Sequence, residues 1–132
     1  MTTGNSSSLT PVQQLENKPF YIGKYWFTLE DVQSMVGPGW SKLLKDLTDK
    51  LFALGWDGGL SQVKEKFGTL RFYWNNNIEG IFGEIAEDVV SEAEAKSGQV
   101  CETCGKYGKV RGNGWLSCRC DECWEREGHE SK

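Results

Sequence analysis

Two Cys-x-x-Cys pairs in the last third of the chain restrict its fold more than any other feature. They are Cys101-Glu-Thr-Cys104 and Cys120-Asp-Glu-Cys123, separated by the fifteen residues 105–119. A two-residue gap lets one tight turn aim both thiolates at a single ion, at about 2.3 Å each, and two such turns complete a tetrahedron. Gly105, directly after the first pair, suits the left-handed backbone of such a turn. The intervening Lys106–Arg119 stretch has the length of a small hairpin, with Gly108 and Asn113-Gly114 as turn residues. The pattern predicts a zinc ribbon holding one structural Zn2+. A redox reading of the pairs lacks the βαβ context of thioredoxin-like proteins. Four protein ligands leave no open position for water, which disfavours catalytic zinc.

The chain has five cysteines, and Cys118 makes the set odd. The run Cys118-Arg-Cys120-Asp-Glu-Cys123 leaves either Cys118 or Cys120 available as the third ligand. His129, the single histidine, is expected to be a surface or supporting residue, because four thiolates already fill the shell.

The remainder of the sequence predicts an α+β domain. Residues 1–18, rich in Ser, Thr, Asn and Gln, read as a disordered tail and 126–132 as a second one. Residues 19–98 read as the α+β domain, and 99–125 as the ribbon packed on it. FYIGKYWF (20–27) is a short strand or packed loop. Thr28 and Asp31 form a helix-start pattern, with Leu29, Val32, Met35 and Val36 on one face and Gly37-Pro38-Gly39 as the stop. A second helix begins near Ser41, where Leu43, Leu44, Leu47, Leu51 and Leu54 recur at helical spacing and Gly55 ends the run. SQVKEKFGTLRFYWNNN (61–77) alternates as a hairpin turning around Lys66–Thr69, or as one long bulged strand, with an aromatic face toward the helices. Residues 81–96 form a third helix, with Ile81, Ile85, Val89 and Ala93 spaced by four and Phe82, Ala86 and Val90 beside them. The acids Glu79, Glu84, Glu87, Asp88, Glu92 and Glu94 precede its first base, Lys96.

Charge and hydropathy narrow the functional classes. Lys and Arg number 15 against 19 Asp and Glu, a formal charge of -4, so a globally basic nucleic-acid coat is excluded. The first seventeen residues carry neither the basic start nor the apolar core of a secretory signal. No run approaches the roughly 20 apolar residues of a membrane span. The expectation is a cytoplasmic protein, where paired cysteines more often hold metal than form disulfides.

The segments taken together resemble a known group. Gly39-Trp40, Lys64-Glu-Lys-Phe-Gly-Thr-Leu-Arg-Phe-Tyr73, the acidic helix, Cys101-Glu-Thr-Cys104-Gly105, Gly114-Trp115 and Cys120-Asp-Glu-Cys123 occur in that order. Over about residues 37–124 the chain resembles a family of small, largely uncharacterised proteins of bacteria and their phages. In that family the position of Cys118 is usually not a cysteine, which implies Cys101, Cys104, Cys120 and Cys123 as the zinc ligands. Occurrence on mobile elements implies a role in phage–host conflict or regulation, inside a bacterial host cell.

Two binding functions follow as expectations. One is a protein-interaction module, such as a phage-encoded inhibitor of a host defence or regulatory protein, with Trp26, Trp40, Trp74, Trp115 and Trp124 as candidate anchors and the acids Glu84, Glu87 and Asp88 as a charged face. The other is a nucleic-acid-binding ribbon, with Lys106, Lys109, Arg111 and Arg119 beside Tyr107 and Trp115 as phosphate contacts and stacking platform. Residues 101–123 set those four bases against Glu102, Asp121 and Glu122, a net of only +1. No nucleophile–base set and no phosphate loop is present in the sequence, so no enzymatic activity is expected.

Overall fold

The computed structural model describes residues 19–128. The expected N-terminal tail, residues 1–18, and His129 lie outside the described residues. The architecture is α+β: the described residues form three two-stranded antiparallel sheets and four α-helices.

The aromatic segment 20–27 is a hairpin, β1 (Phe20–Ile22) and β2 (Tyr25–Phe27), turning at Gly23 with φ +62°. Helix α1 (Leu29–Gln33) starts in a full capping box: Thr28 Oγ1 accepts the Asp31 N–H at 3.1 Å and Asp31 Oδ2 accepts the Thr28 N–H at 2.9 Å. It is shorter than the apolar pattern suggested. Met35 and Val36 donate to carbonyls three residues back, so the last turn tightens before Pro38 while both side chains still face the core.

After a short 3-10 turn (Pro38–Trp40), helix α2 (Ser41–Leu54) buries Leu43, Leu44, Leu47, Thr48 and Leu51. Gly55 at φ +112° ends it. Its N–H bonds Phe52 O, and the Trp56 N–H bonds Leu51 O, the paired bonds of a Schellman stop. Trp56, directly after the stop, is buried. Its ring meets Phe20, Phe52, Phe72 and Trp74, and its indole N–H is shared by the carbonyls of Gly59 and Asn75 at 3.2 Å.

Strands β3 (Leu60–Lys66) and β4 (Thr69–Trp74) form a hairpin, the first of the two expected arrangements, with Lys66 opposite Thr69, Val63 opposite Phe72, and a register shift between Leu60 and Gln62. Its turn residues are Phe67 (φ +56°) and Gly68 (φ +83°), the left-handed pair of a type I′ turn. Phe67 is the one non-glycine with positive φ among the described residues, and its ring is exposed.

Helix α3 (Gly80–Ser97) packs beside α2 and along β4. Its orientation departs from the expected stripe. The buried row is Gly83, Ala86, Val90, Ala93 and Ser97, whereas Ile81, Phe82 and Ile85 are 67%, 57% and 41% exposed. Contact with the edge of β4 decides this. Leu70 and Phe72 donate N–H groups that β3 does not use to Ser97 Oγ (2.7 Å) and Glu94 Oε2 (2.8 Å). Ala86, Ala93 and Ser97 on that face are small enough to let the helix come close for those bonds, and Gly83 leaves room for the Ile78 carbonyl of the preceding loop.

The C-terminal part contains the hairpin β5 (Lys109–Arg111) and β6 (Ser117–Arg119), followed by helix α4 (Asp121–Arg126). The sequence pattern does not predict α4, whose last residue falls within 126–132, the expected C-terminal tail. One contiguous core runs from Phe20 to Cys118. A separate small cluster holds Cys101, Cys120 and Cys123.

Candidate metal centre

Cys101 and Cys104 belong to the turn that follows α3. The Gly105 N–H bonds the Cys101 carbonyl at 2.9 Å and the Cys101 N–H bonds the Lys106 carbonyl at 2.8 Å, closing a tight loop with Gly105 at φ +84°. Cys120 lies just past the end of β6 as the N-cap of α4, its Sγ accepting the Cys123 N–H at 3.4 Å. That short helix carries Cys123 back toward the first pair. The four sulfurs lie within 4.8 Å of one another, and Cys104 and Cys120 are 3.6 Å apart. Four thiolates about 2.3 Å from one ion stand roughly 3.8 Å from each other in a tetrahedron, so the spacing fits a metal ion with little movement. Three of the four are buried and Cys104 is exposed.

Cys118 stands apart. It is fully buried in the main core and is not among the four convergent sulfurs. Burial, with Glu102 and Cys101 nearby, pushes its thiol up to about 11, so it stays protonated. The cluster is tuned differently. Burial works against ionising Cys101, yet the backbone N–H groups of Cys104, Cys120 and Thr103 outweigh it and bring the thiol down to about 6. Burial, together with the neighbouring sulfurs, pushes Cys123 up to about 12. Four thiolates this close repel one another, so holding all four ionised would take a cation between them.

Residues outside the cysteine pattern hold the site in place. Trp40, fully buried, donates its indole N–H to the Val100 carbonyl at 2.7 Å, and the Gly39 N–H bonds the Glu102 carbonyl at 2.7 Å. A Cβ at Gly39 would collide with the Cys101 carbonyl, and one at Gly37 with that of Glu102. The Gly37-Pro38-Gly39-Trp40 turn is therefore a seat for the first cysteine loop. Glu102 joins that loop to β6: its N–H bonds the Cys118 carbonyl at 3.0 Å and its Oε2 accepts the Cys118 N–H at 2.7 Å. Burial raises its pKa, against the opposing pull of that N–H and of Arg119, whose Nη1 is 3.4 Å away. The only sequence signal for this support was the Gly-Pro-Gly-Trp string, which also reads as a plain helix stop.

Three of the four cations expected to touch phosphate are occupied by carboxylates. Lys106 pairs with Glu122 (3.1 Å), Arg111 with Asp121 (2.9 Å), and Arg119 with Glu127 (2.8 Å) as well as Glu102. The Arg111 guanidinium lies over the Trp124 ring, 5.5 Å from its centre, and only 10% of its side chain is exposed. Lys109, Arg111, Arg119, Trp115 and Trp124 line one groove of about 810 Å³. Trp115, at the tip of the β5–β6 loop, is 83% exposed, and Tyr107 is exposed as well. Phe67 and Trp115 line one small cavity, which brings the β3–β4 turn next to the β5–β6 loop.

Glu84, Glu87 and Asp88 lie on the exposed side of α3. Glu87 accepts a bond from Asn76 Nδ2 at 3.1 Å, and Glu84 and Asp88 enter no ion pair among the described residues. No helix is long and apolar enough to cross a membrane among the described residues. No family model, curated protein sequence or solved structure matches the chain.

Proposed function

We propose that the chain is a zinc-stapled protein-interaction module, in which Cys101, Cys104, Cys120 and Cys123 hold one structural Zn2+ and the β5–β6 hairpin is the body of a zinc ribbon. An all-thiolate tetrahedral set suits zinc, and a filled shell leaves no site for a substrate or an activated water. The metal fixes the fold of the C-terminal third, and the chain is not an enzyme in this reading.

The division of surface chemistry carries the interaction reading. Lys106, Arg111 and Arg119 are already paired with acids of the same region, while Phe67, Tyr107 and Trp115 are exposed. Aromatic residues with few unpaired charges are what protein interfaces use at their centres. A phosphate-tracking surface needs cations free to release counterions. The resemblance to bacterial and phage proteins makes a bacterial host protein, such as a defence or regulatory factor, the partner to look for.

Affinity capture from nuclease-treated bacterial lysate, followed by mass spectrometry, tests this. The expected result is a stoichiometric protein partner that survives nuclease. Absence of such a partner, together with salt-dependent binding to nucleic acid in a filter assay, would replace this reading with the nucleic-acid one.

A further inference from the structure

The outward face of α3 is the feature least accounted for by folding. Ile81, Phe82 and Ile85 cover its first two turns and are largely exposed, although the core has a complete row of its own on the opposite side. Ile81 and Ile85 are four residues apart on one line of the helix. Glu84 and Asp88 form a second row beside it, also four apart. An apolar strip flanked by acids is a stable exposed helix only at a cost in hydrophobic exposure, so an occupant that covers the strip has a large effect to gain.

The charges select the occupant. Neither Glu84 nor Asp88 has an ion pair among the described residues. A second copy laid antiparallel on this face would bring acids against acids. An anionic lipid surface would repel the same row. A protein strip of apolar side chains flanked by Lys or Arg satisfies both rows at once.

We propose that residues 81–88 of α3 are a docking helix, with Ile81, Phe82 and Ile85 as apolar anchors and Glu84 and Asp88 as the charge selectors, for a partner protein presenting an apolar strip flanked by lysine or arginine. This assignment rests on the interaction reading above and names the surface and the chemistry of its partner.

A synthetic leucine–lysine amphipathic peptide and its leucine–glutamate counterpart are the direct probes, with the metal-loaded full chain observed by amide NMR. The lysine peptide is expected to shift the resonances of residues 81–92 and the glutamate peptide to leave them in place. Phe82→Ser, or Glu84→Lys with Asp88→Lys, is expected to weaken the lysine peptide by about tenfold or more. Shifts centred elsewhere, equal response to both peptides, or insensitivity to these variants would overturn the assignment. Metal content and circular dichroism of each variant guard against misfolding.

Photo-crosslinking in nuclease-treated bacterial lysate separates this claim from the broader one, with p-benzoylphenylalanine placed at Phe82 or, as a control, at Tyr107. Support requires that Phe82 cross-link a partner peptide containing apolar residues beside Lys or Arg, and that the charge-reversal pair abolish the product. A partner found from Tyr107 but not from Phe82 removes α3 and leaves the interaction reading standing. No partner from either position removes both, and a cross-link to a second copy of the chain refutes the assignment.

Discussion

Ser97 Oγ accepts the backbone N–H of Leu70 at 2.7 Å in the fully buried seam between α3 and β4. In a two-stranded sheet every second N–H of each strand has no ladder partner, and burial turns each into a cost. Ser97, with Glu94 at Phe72, supplies those acceptors from the helix.

Ser97→Ala leaves the Leu70 N–H buried and unpaired, and is expected to cost about 1–3 kcal/mol. Glu94→Ala should cost less, because its bond to Phe72 is only partly buried. Urea unfolding checks both: the midpoint should fall with an unchanged slope, and a Ser97→Ala midpoint equal to the parent would show that the bond contributes nothing.

Gly39 is expected to be indispensable to the metal centre although it binds no metal. A Cβ there would collide with the Cys101 carbonyl and come within 2.6 Å of the Gly105 nitrogen, both of them backbone atoms that no side-chain rotation relieves. Gly39→Ala should destabilise the chain by more than about 2 kcal/mol and weaken metal retention under chelator competition. Gly55→Ala is the comparison: nothing lies within 4 Å of its Cβ, so only the left-handed backbone penalty of about 1–2 kcal/mol applies and metal retention stays unchanged.

How much of this was legible depended on whether the signal was local. The cysteine pairs, the capping box at Thr28, the leucine row of α2 and the stop at Gly55 are written in neighbouring residues, and each element stands where its pattern put it. Helix α3 carries two apolar rows, and sequence spacing alone ranks Ile81–Ile85–Val89 as highly as Ala86–Val90–Ala93. The choice is made by Leu70 and Phe72, which lie more than twenty residues away and recruit Ser97 and Glu94. In the sequence, Glu102 is only one acid in the charge count of residues 101–123. Its role at Cys118 exists only once β6 has been brought alongside the first cysteine loop. Helix α4 is six residues long, too short to leave a periodic signal.

The N-terminal hairpin is expected to give an alkaline signature. Tyr21 donates its hydroxyl to Asp57 Oδ2 at 2.9 Å, and that bond raises the tyrosine pKa above 10.0, helped by desolvation and the Asp57 charge. A raised folded value means that the contribution to stability is complete below the ordinary tyrosine pKa and is lost as pH rises through the raised one. Ring NMR should show Tyr21 ionising at higher pH in the parent than in Asp57→Asn. If Tyr21 ionises at the same pH in both proteins, the bond is not formed in solution.

The five cysteines divide into four and one, and substitution should expose the division. Cys118 sits in the apolar core with its thiol protonated, so Cys118→Ala removes a small buried group and should cost about 1 kcal/mol while leaving one metal ion per chain. Cys120 supplies a sulfur 3.6 Å from that of Cys104 and caps α4 through the Cys123 N–H. Cys120→Ser should therefore abolish stoichiometric binding and loosen α4 together with β6. Cobalt substitution reads the difference, because four thiolates give a tetrahedral spectrum that the Cys118 variant keeps and the Cys120 variant loses. A strong chelator should reproduce the Cys120 phenotype in the parent, as hydrogen exchange confined to residues 99–126, since the binding free energy of such a site is folding free energy. Metal retained by Cys120→Ser and lost by Cys118→Ala would reverse the ligand assignment.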